Sequence, residues 1–181
     1  MPLLQVLVER LEKPPRIVPL SVGYRAFSDA SEATFLAQTV CDVLCNNRGG
    51  GASKSCWAAT TVVIGTTDYT HAGPGYRELP ACLEPPVGGW SSATGQEALV
   101  EYTRARDKPV LDAVVGGGAA AIETSGRGTS MCGLWAAALT VEISSGLGMK
   151  QRHLLKYAVS SEVSPHPSGN VTGFAAIAMT P

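Results

Sequence analysis

Two short stretches of the chain carry side chains that could act together on a ligand. In Asp68-Tyr69-Thr70-His71 a carboxylate and an imidazole stand three residues apart. Such a pair can share a metal ion, or work as a base and the group that orients it. The same two residues also have a plain reading, with Asp68 capping a turn and His71 solvated at the surface. The second stretch is Thr129-Ser130-Met131-Cys132-Gly133, at the start of a predicted helix. Exposed N–H groups and the helix dipole there favour a thiolate over a thiol, which would make Cys132 a better soft ligand or redox thiol than the other cysteines. A buried structural cysteine is the competing reading.

Both stretches need a scaffold that aims them. Before Asp68, Ala59 to Gly65 contains five consecutive β-branched residues, Thr60 to Ile64. An unbroken branched run suits a strand covered on both faces. The loop beyond the C-terminal end of such a strand is where open α/β sheets bind ligands. After Cys132, Gly133 to Ser145 predicts a helix closed by Gly146.

Elsewhere, Pro2 to Leu11 predicts a helix stopped by Pro14 and Pro15, followed by a short strand from Arg16 to Val22. Asp29, three residues before Glu32, starts a helix in which Leu36, Val40, Val43 and Leu44 form one stripe, to be packed on a sheet. Asn46 to Ser55 reads as a surface loop, and Tyr69 to Ser92 as a long irregular connection. A helix from Gln96 to Val115 is expected to break near Asp107-Lys108-Pro109, with Asp107 capping a second helical segment and Pro109 in its first turn. Gly116 to Gly118 ends it, and a short helix from Ala119 to Thr124 comes next. Two final strands, His153 to Val159 and Thr172 to Met179, lack a crossover helix and so favour antiparallel pairing. Helices and strands alternate, which makes the fold class α/β.

Bulk properties narrow the function classes. The 181 residues are 45% apolar and 16% charged, enough for one domain over 1–181 with a real core. Fourteen basic and 15 acidic side chains leave a net charge of −1, so no electrostatic footprint for nucleic acid or an anionic membrane is present. Met1 to Lys13 lacks a basic leader and is crossed by Glu9, Arg10 and Glu12, unlike a signal peptide. Leu134 to Ile143 falls well short of the ~20 residues that span a bilayer. Five cysteines without a CxxC pair point to free thiols in a reducing cytosol, hence a soluble, cytoplasmic protein.

Three attractive patterns fail on context. Gly49 to Ser55 echoes a phosphate loop, but Ser53 replaces the glycine before Lys54 and a helix precedes it. Gly116-x-Gly118-x-x-Ala121 imitates a dinucleotide turn, yet it also follows a helix and reads as a stop. His166 lies between prolines in a loop, and His153 opens a strand as a solvated side chain.

The chain resembles the Memo family, whose prokaryotic members belong to the AmmeMemoRadiSam group. The resemblance rests on Arg16 to Gly23, Thr66-Thr67-Asp68-Tyr69-Thr70-His71, Thr129 to Gly133, and Leu154 to Ala158 with Gly173 to Ala178, in the family's order. It implies a three-layer α/β/α fold similar to class III extradiol dioxygenases. It also implies a metal site in which Cys132 is a ligand and Asp68 and His71 stand nearby, with copper or iron bound and a redox role. The family's His-Ala-Gly and Ser-His-His motifs, which hold two histidine ligands, are absent, so the resemblance corresponds to the family's C-terminal half and to an incomplete fold and site. Three functions follow as expectations. The first is metal binding with possible redox chemistry at Cys132, His71 and Asp68. The second is a non-catalytic adaptor for a peptide or protein partner, of the phosphopeptide type that the family links to cell motility, engaging loop residues such as Tyr76 and Trp90. The third is an extradiol-type dioxygenase, weaker because that chemistry needs two histidines and a carboxylate.

Overall fold

The computed structural model describes residues 12–13, 15–23, 25–45, 60–80, 84–164 and 168–181. The helix expected before Pro14, the loop expected from residue 46 and His166 lie outside them. In chain order the elements are α1 (Ala30–Cys45), β1 (His71–Ala72), a 3-10 turn (Pro74–Tyr76), α2 (Ala93–Gly116), α3 (Ala119–Gly126), α4 (Leu134–Gly146), β2 (Gln151–Val159), α5 (Ser160–Val163) and β3 (Val171–Thr180).

α1 starts where its acidic residues predict. Asp29 Oδ1 accepts the Ser31 N–H and Glu32 Oε2 accepts the Ser28 N–H, each at 2.8 Å. Its buried face is Ala30, Ala33, Ala37 and Cys41. Leu36, Val40 and Leu44 flank that face half-buried, while Val43 is exposed. Small residues at this spacing let α1 lie close against α4, with Cys41 over Gly146, so the helix packs on a helix and not on a sheet.

α2 begins at Ser92, whose Oγ accepts the Gly95 N–H at 3.1 Å. It then runs unbroken through Pro109 for 24 residues. An interior proline costs about 3 kcal/mol, and here burial of Leu99, Thr103, Asp107, Val110, Leu111 and Val114 along one face outweighs it. Asp107 is therefore an interior residue and caps nothing. The helix ends at Gly117, whose N–H reaches Ala113 O. Arg152 secures that end, donating from Nη1 to Val114 O at 3.0 Å and to Gly117 O, and from Nη2 to Ser145 Oγ at 2.9 Å. At α3 the first N–H, that of Ala119, is capped from α4 by Glu142 Oε1 at 2.7 Å.

The sheet has the order β1-β3-β2 and both pairings are antiparallel. The terminal pair matches the expected hairpin, with Gln151 opposite Thr180 and Val159 opposite Gly173. Leu155 is an extra residue in β2, between Leu154 and Lys156. β1 is a short strand inside the stretch read as irregular; it sets His71 opposite Thr172.

Two predicted strands do not form. The stretch 16–22 and the described part of the second run, 60–65, join no ladder among the described residues. Their branched side chains favour extension, but a strand also needs a neighbour to pair with, and none of the described strands takes that place. Ile17, Val18, Leu20, Val62 and Ile64 are consequently exposed, while Val22 and Val63 pack inward, both against the cluster that holds Leu139 and Ile143. Coverage on both faces, expected for the second run, is thus absent.

β3 turns Ala175, Ile177 and Met179 into a core built with α2, α3 and α4, where Trp135 meets Phe27 edge to face at 5.7 Å. Phe174, on the other face, stays exposed. Among the described residues the helices therefore lie on one side of the sheet, giving two layers where three were expected. The α/β class itself holds. No described helix is long and apolar enough to cross a membrane.

Candidate metal centre

The 68–71 turn is fixed from below. Tyr69 N–H donates to Gly173 O and Gly173 N–H donates to Thr70 O, both at 3.0 Å, continuing the pairing of β1 with β3. Thr70 N–H donates to Asp107 Oδ1 at 2.9 Å, and the Tyr157 hydroxyl donates to Asp107 Oδ2 at 2.7 Å. Burial pushes the Asp107 carboxyl above its usual range, opposed by the hydrogen bonds from Thr70 and Tyr157. Burial and then Asp107 push the Tyr157 phenol upward, so it remains a donor across the working pH range. Tyr69 is pushed up to about 12, first by burial and then by Asp107.

Ser130 ties this turn to the cysteine stretch. Its hydroxyl accepts the His71 N–H at 2.7 Å and donates to His71 O at 2.9 Å. Its carbonyl lies 3.0 Å from His71 Nδ1. A carbonyl only accepts, so Nδ1 carries a proton, and in the neutral tautomer that fits this contact the lone pair is on Nε2. Met131 is buried in the core between two site residues, and Gly133 lies where any Cβ would strike Thr67. The chain can therefore bring Cys132 beside Thr67 and Asp68, with its Sγ 3.9 Å from Thr67 Oγ1 and from Asp68 O.

His71 Nε2 is 3.5 Å from Asp68 Oδ2, and the ligating atoms of Asp68, His71 and Cys132 all lie within 4.8 Å of one another. Donors bound to one ion at ~2.0–2.3 Å stand roughly 3.3–3.8 Å apart. The Asp68–His71 pair already has that spacing. Cys132 reaches it by closing at most about 1.5 Å, within the swing of one side-chain torsion. The Tyr76 ring stands edge-on to His71 at 4.9 Å. A cavity of about 450 Å³, lined by Gly65, Thr66, Thr67, Asp68, Cys132 and Ala175, opens the Asp68 and Cys132 side of the group to solvent. A nitrogen, a sulfur and a carboxylate oxygen with open space beside them suit a borderline or soft transition metal that keeps an exchangeable position.

The family model for Memo-like protein matches residues 1–178. The chain belongs to the Memo-like protein family. No curated protein and no solved structure matches it.

In this Memo-like protein the three residues singled out from the sequence come together, and other candidates do not join them. His153 pairs opposite Ala178 while His71 is opposite Thr172, six positions apart on β3, or about 20 Å. Trp90, expected on a binding loop, is buried with Leu99 and Val171, because the turn before α2 folds its indole inward. Tyr76 is exposed. Sequence reasoning missed Ser130, although it stands inside the cysteine stretch, and misplaced Asp107 as a cap.

The thiols differ sharply in access. Cys132 is exposed, and Cys41 is buried, its thiol pushed up first by burial and then by Asp42. Cys45, half-buried on the last residue of α1, is disulfide-bonded, contrary to the expectation that all five thiols are free; Cys56 and Cys82 lie outside the described residues. Iodoacetamide at mildly alkaline pH is expected to alkylate Cys132 in the folded protein and to spare Cys41 until the chain is unfolded. Peptide mapping by mass spectrometry reads this directly, and equal labelling of the two would contradict it.

Proposed function

We propose that this Memo-like protein binds a transition metal through Cys132, His71 and Asp68, with copper or iron as the ion and a redox role for the site. The observation that carries the reading is the contact between His71 Nδ1 and Ser130 O, which leaves the Nε2 lone pair beside Asp68 Oδ2. Metal-bound histidines are oriented in this way, by giving the other ring N–H to a backbone carbonyl. Copper or iron, when held there, would supply one-electron exchange. The protein's own residues supply the rest. Cys132 contributes the soft donor, Asp68 a balancing negative charge, and Ser130 the fixed imidazole orientation. The open cavity leaves room for a small exogenous ligand.

An extradiol-type dioxygenase activity, and the three-layer fold similar to those enzymes, remain further readings of the same family. A thiolate in place of a second histidine weighs against that chemistry at this group. A peptide-binding adaptor is favoured by one observation, the exposed Tyr76 ring beside His71. Adaptor binding would survive chelation, whereas metal chemistry would not.

Cobalt(II) titration of the full chain tests the proposal. The expected result is one ion per chain, with visible ligand-field bands and a near-ultraviolet thiolate-to-metal band. No uptake at micromolar cobalt would overturn it.

A further inference from the structure

Asp107 is a carboxylate in the middle of α2, 1% exposed, and no cation pairs with it among the described residues. Burying such a group is unfavourable unless its oxygens are fully used. Both are used, and by the same neighbourhood. Oδ1 takes the backbone N–H of Thr70, the residue between Tyr69 and His71, and Oδ2 takes the Tyr157 hydroxyl. Gly173 makes the space, because a Cβ there would collide with Oδ2 and come within 2.9 Å of the Tyr157 oxygen. Gly173 also exchanges backbone hydrogen bonds with Tyr69 and Thr70. One buried carboxylate thus joins the longest helix, both long strands and the turn that bears Asp68 and His71.

From this convergence we infer that Asp107 is a positioning residue for the metal centre, holding the 68–71 turn so that Asp68 and His71 keep their bonding distance. The inference rests on the metal reading above. The role is hydrogen-bond acceptance at Thr70, not charge, so an amide can replace it. In Asp107→Asn the side-chain oxygen still accepts from Thr70, and its NH₂ can donate to the Tyr157 oxygen. In Asp107→Ala the Thr70 N–H is left buried and unpaired.

The full chain and these two variants are titrated with cobalt(II), with near-ultraviolet circular dichroism to establish folding. Asp107→Ala is expected to lose about tenfold in cobalt affinity, in the range seen when outer-shell partners of metal ligands are removed, with a weakened thiolate band. Asp107→Asn should stay within about threefold of the unaltered chain because its amide oxygen still accepts from Thr70, whereas a merely structural role would leave the folded Ala variant unchanged. Should Asp107→Ala not fold, Tyr157→Phe carries the test, and a several-fold loss is expected because a carboxylate released at Oδ2 no longer holds Oδ1 on the Thr70 N–H. A folded Asp107→Ala, or Tyr157→Phe in its place, with unaltered affinity and band overturns the positioning role alone. An Asn variant as weak as the Ala variant also overturns it, in favour of charge. Absence of any cobalt uptake by the unaltered chain overturns the metal reading, and the positioning role with it.

Discussion

Replacing Cys132 with alanine is expected to weaken copper(I) binding by more than ~100-fold, beyond the 10- to 100-fold typical of losing an outer-shell partner. Copper(I) prefers thiolate and tolerates carboxylate poorly, so Asp68 and His71 alone leave it a harder and incomplete set. Competition against a chromophoric copper(I) chelator gives the affinity. Cys132 is exposed and makes only long contacts to Thr67 and Asp68. Stability should therefore change by no more than about 0.5 kcal/mol, and a loss of binding cannot be ascribed to unfolding. Unchanged copper(I) affinity in Cys132→Ala would remove the sulfur from the site.

Gly173→Ala is expected to be among the most destabilising single-methyl additions to the chain. The new Cβ would stand 2.9 Å from the Tyr157 oxygen and 3.1 Å from Asp107 Cγ, and closer still to Oδ2. Gly173 has no positive φ, so the penalty is steric and not conformational. Overpacking a core costs about 1–3 kcal/mol, and displacing a buried carboxylate from its donors adds about 1 kcal/mol or more. A total near 3 kcal/mol lowers the melting temperature by about 10 °C in a chain of this length. Thermal denaturation followed by far-ultraviolet circular dichroism measures it. A shift under about 2 °C would mean that the crowding around Gly173 is easily relieved. The double variant with Asp107→Ala should fall less than the sum of the two single variants, because removing the carboxylate removes much of the collision.

The site was legible where chemistry and sequence neighbourhood coincide. Asp68 and His71 are close along the chain, and Cys132 sits just ahead of a helix that glycines bound clearly, so residue type and local signals sufficed to nominate them. Their union across the fold depends on Ser130 and on β1 pairing with β3, which are long-range matters that no local pattern encodes. Asp107 was misread for a physical reason. A carboxylate two residues before a proline has the form of a cap, and only the tertiary demand of Thr70 and Tyr157 makes an unbroken helix and a buried acid the better solution. The final hairpin was readable because two branched runs with no helix between them leave antiparallel pairing as the natural outcome. The runs at 16–22 and 60–65 show the opposite limit: branched composition sets an extended backbone, but a ladder also needs a partner. The stripe on α1 was misjudged because large apolar residues draw attention, whereas Ala33, Ala37 and Cys41 permit the close approach to α4.

The extra residue in β2 also bears on how the protein behaves in concentrated solution. β2 is the outer strand of the described sheet, with Leu154 and Leu155 turned partly to water, a combination that invites stacking into fibrils. Leu155 throws the margin out of plane, and Lys156 places a charge immediately after it. A passing chain is thereby denied a flat template, so the kink acts as a gatekeeper and its deletion would straighten the rim into an amyloid-competent edge.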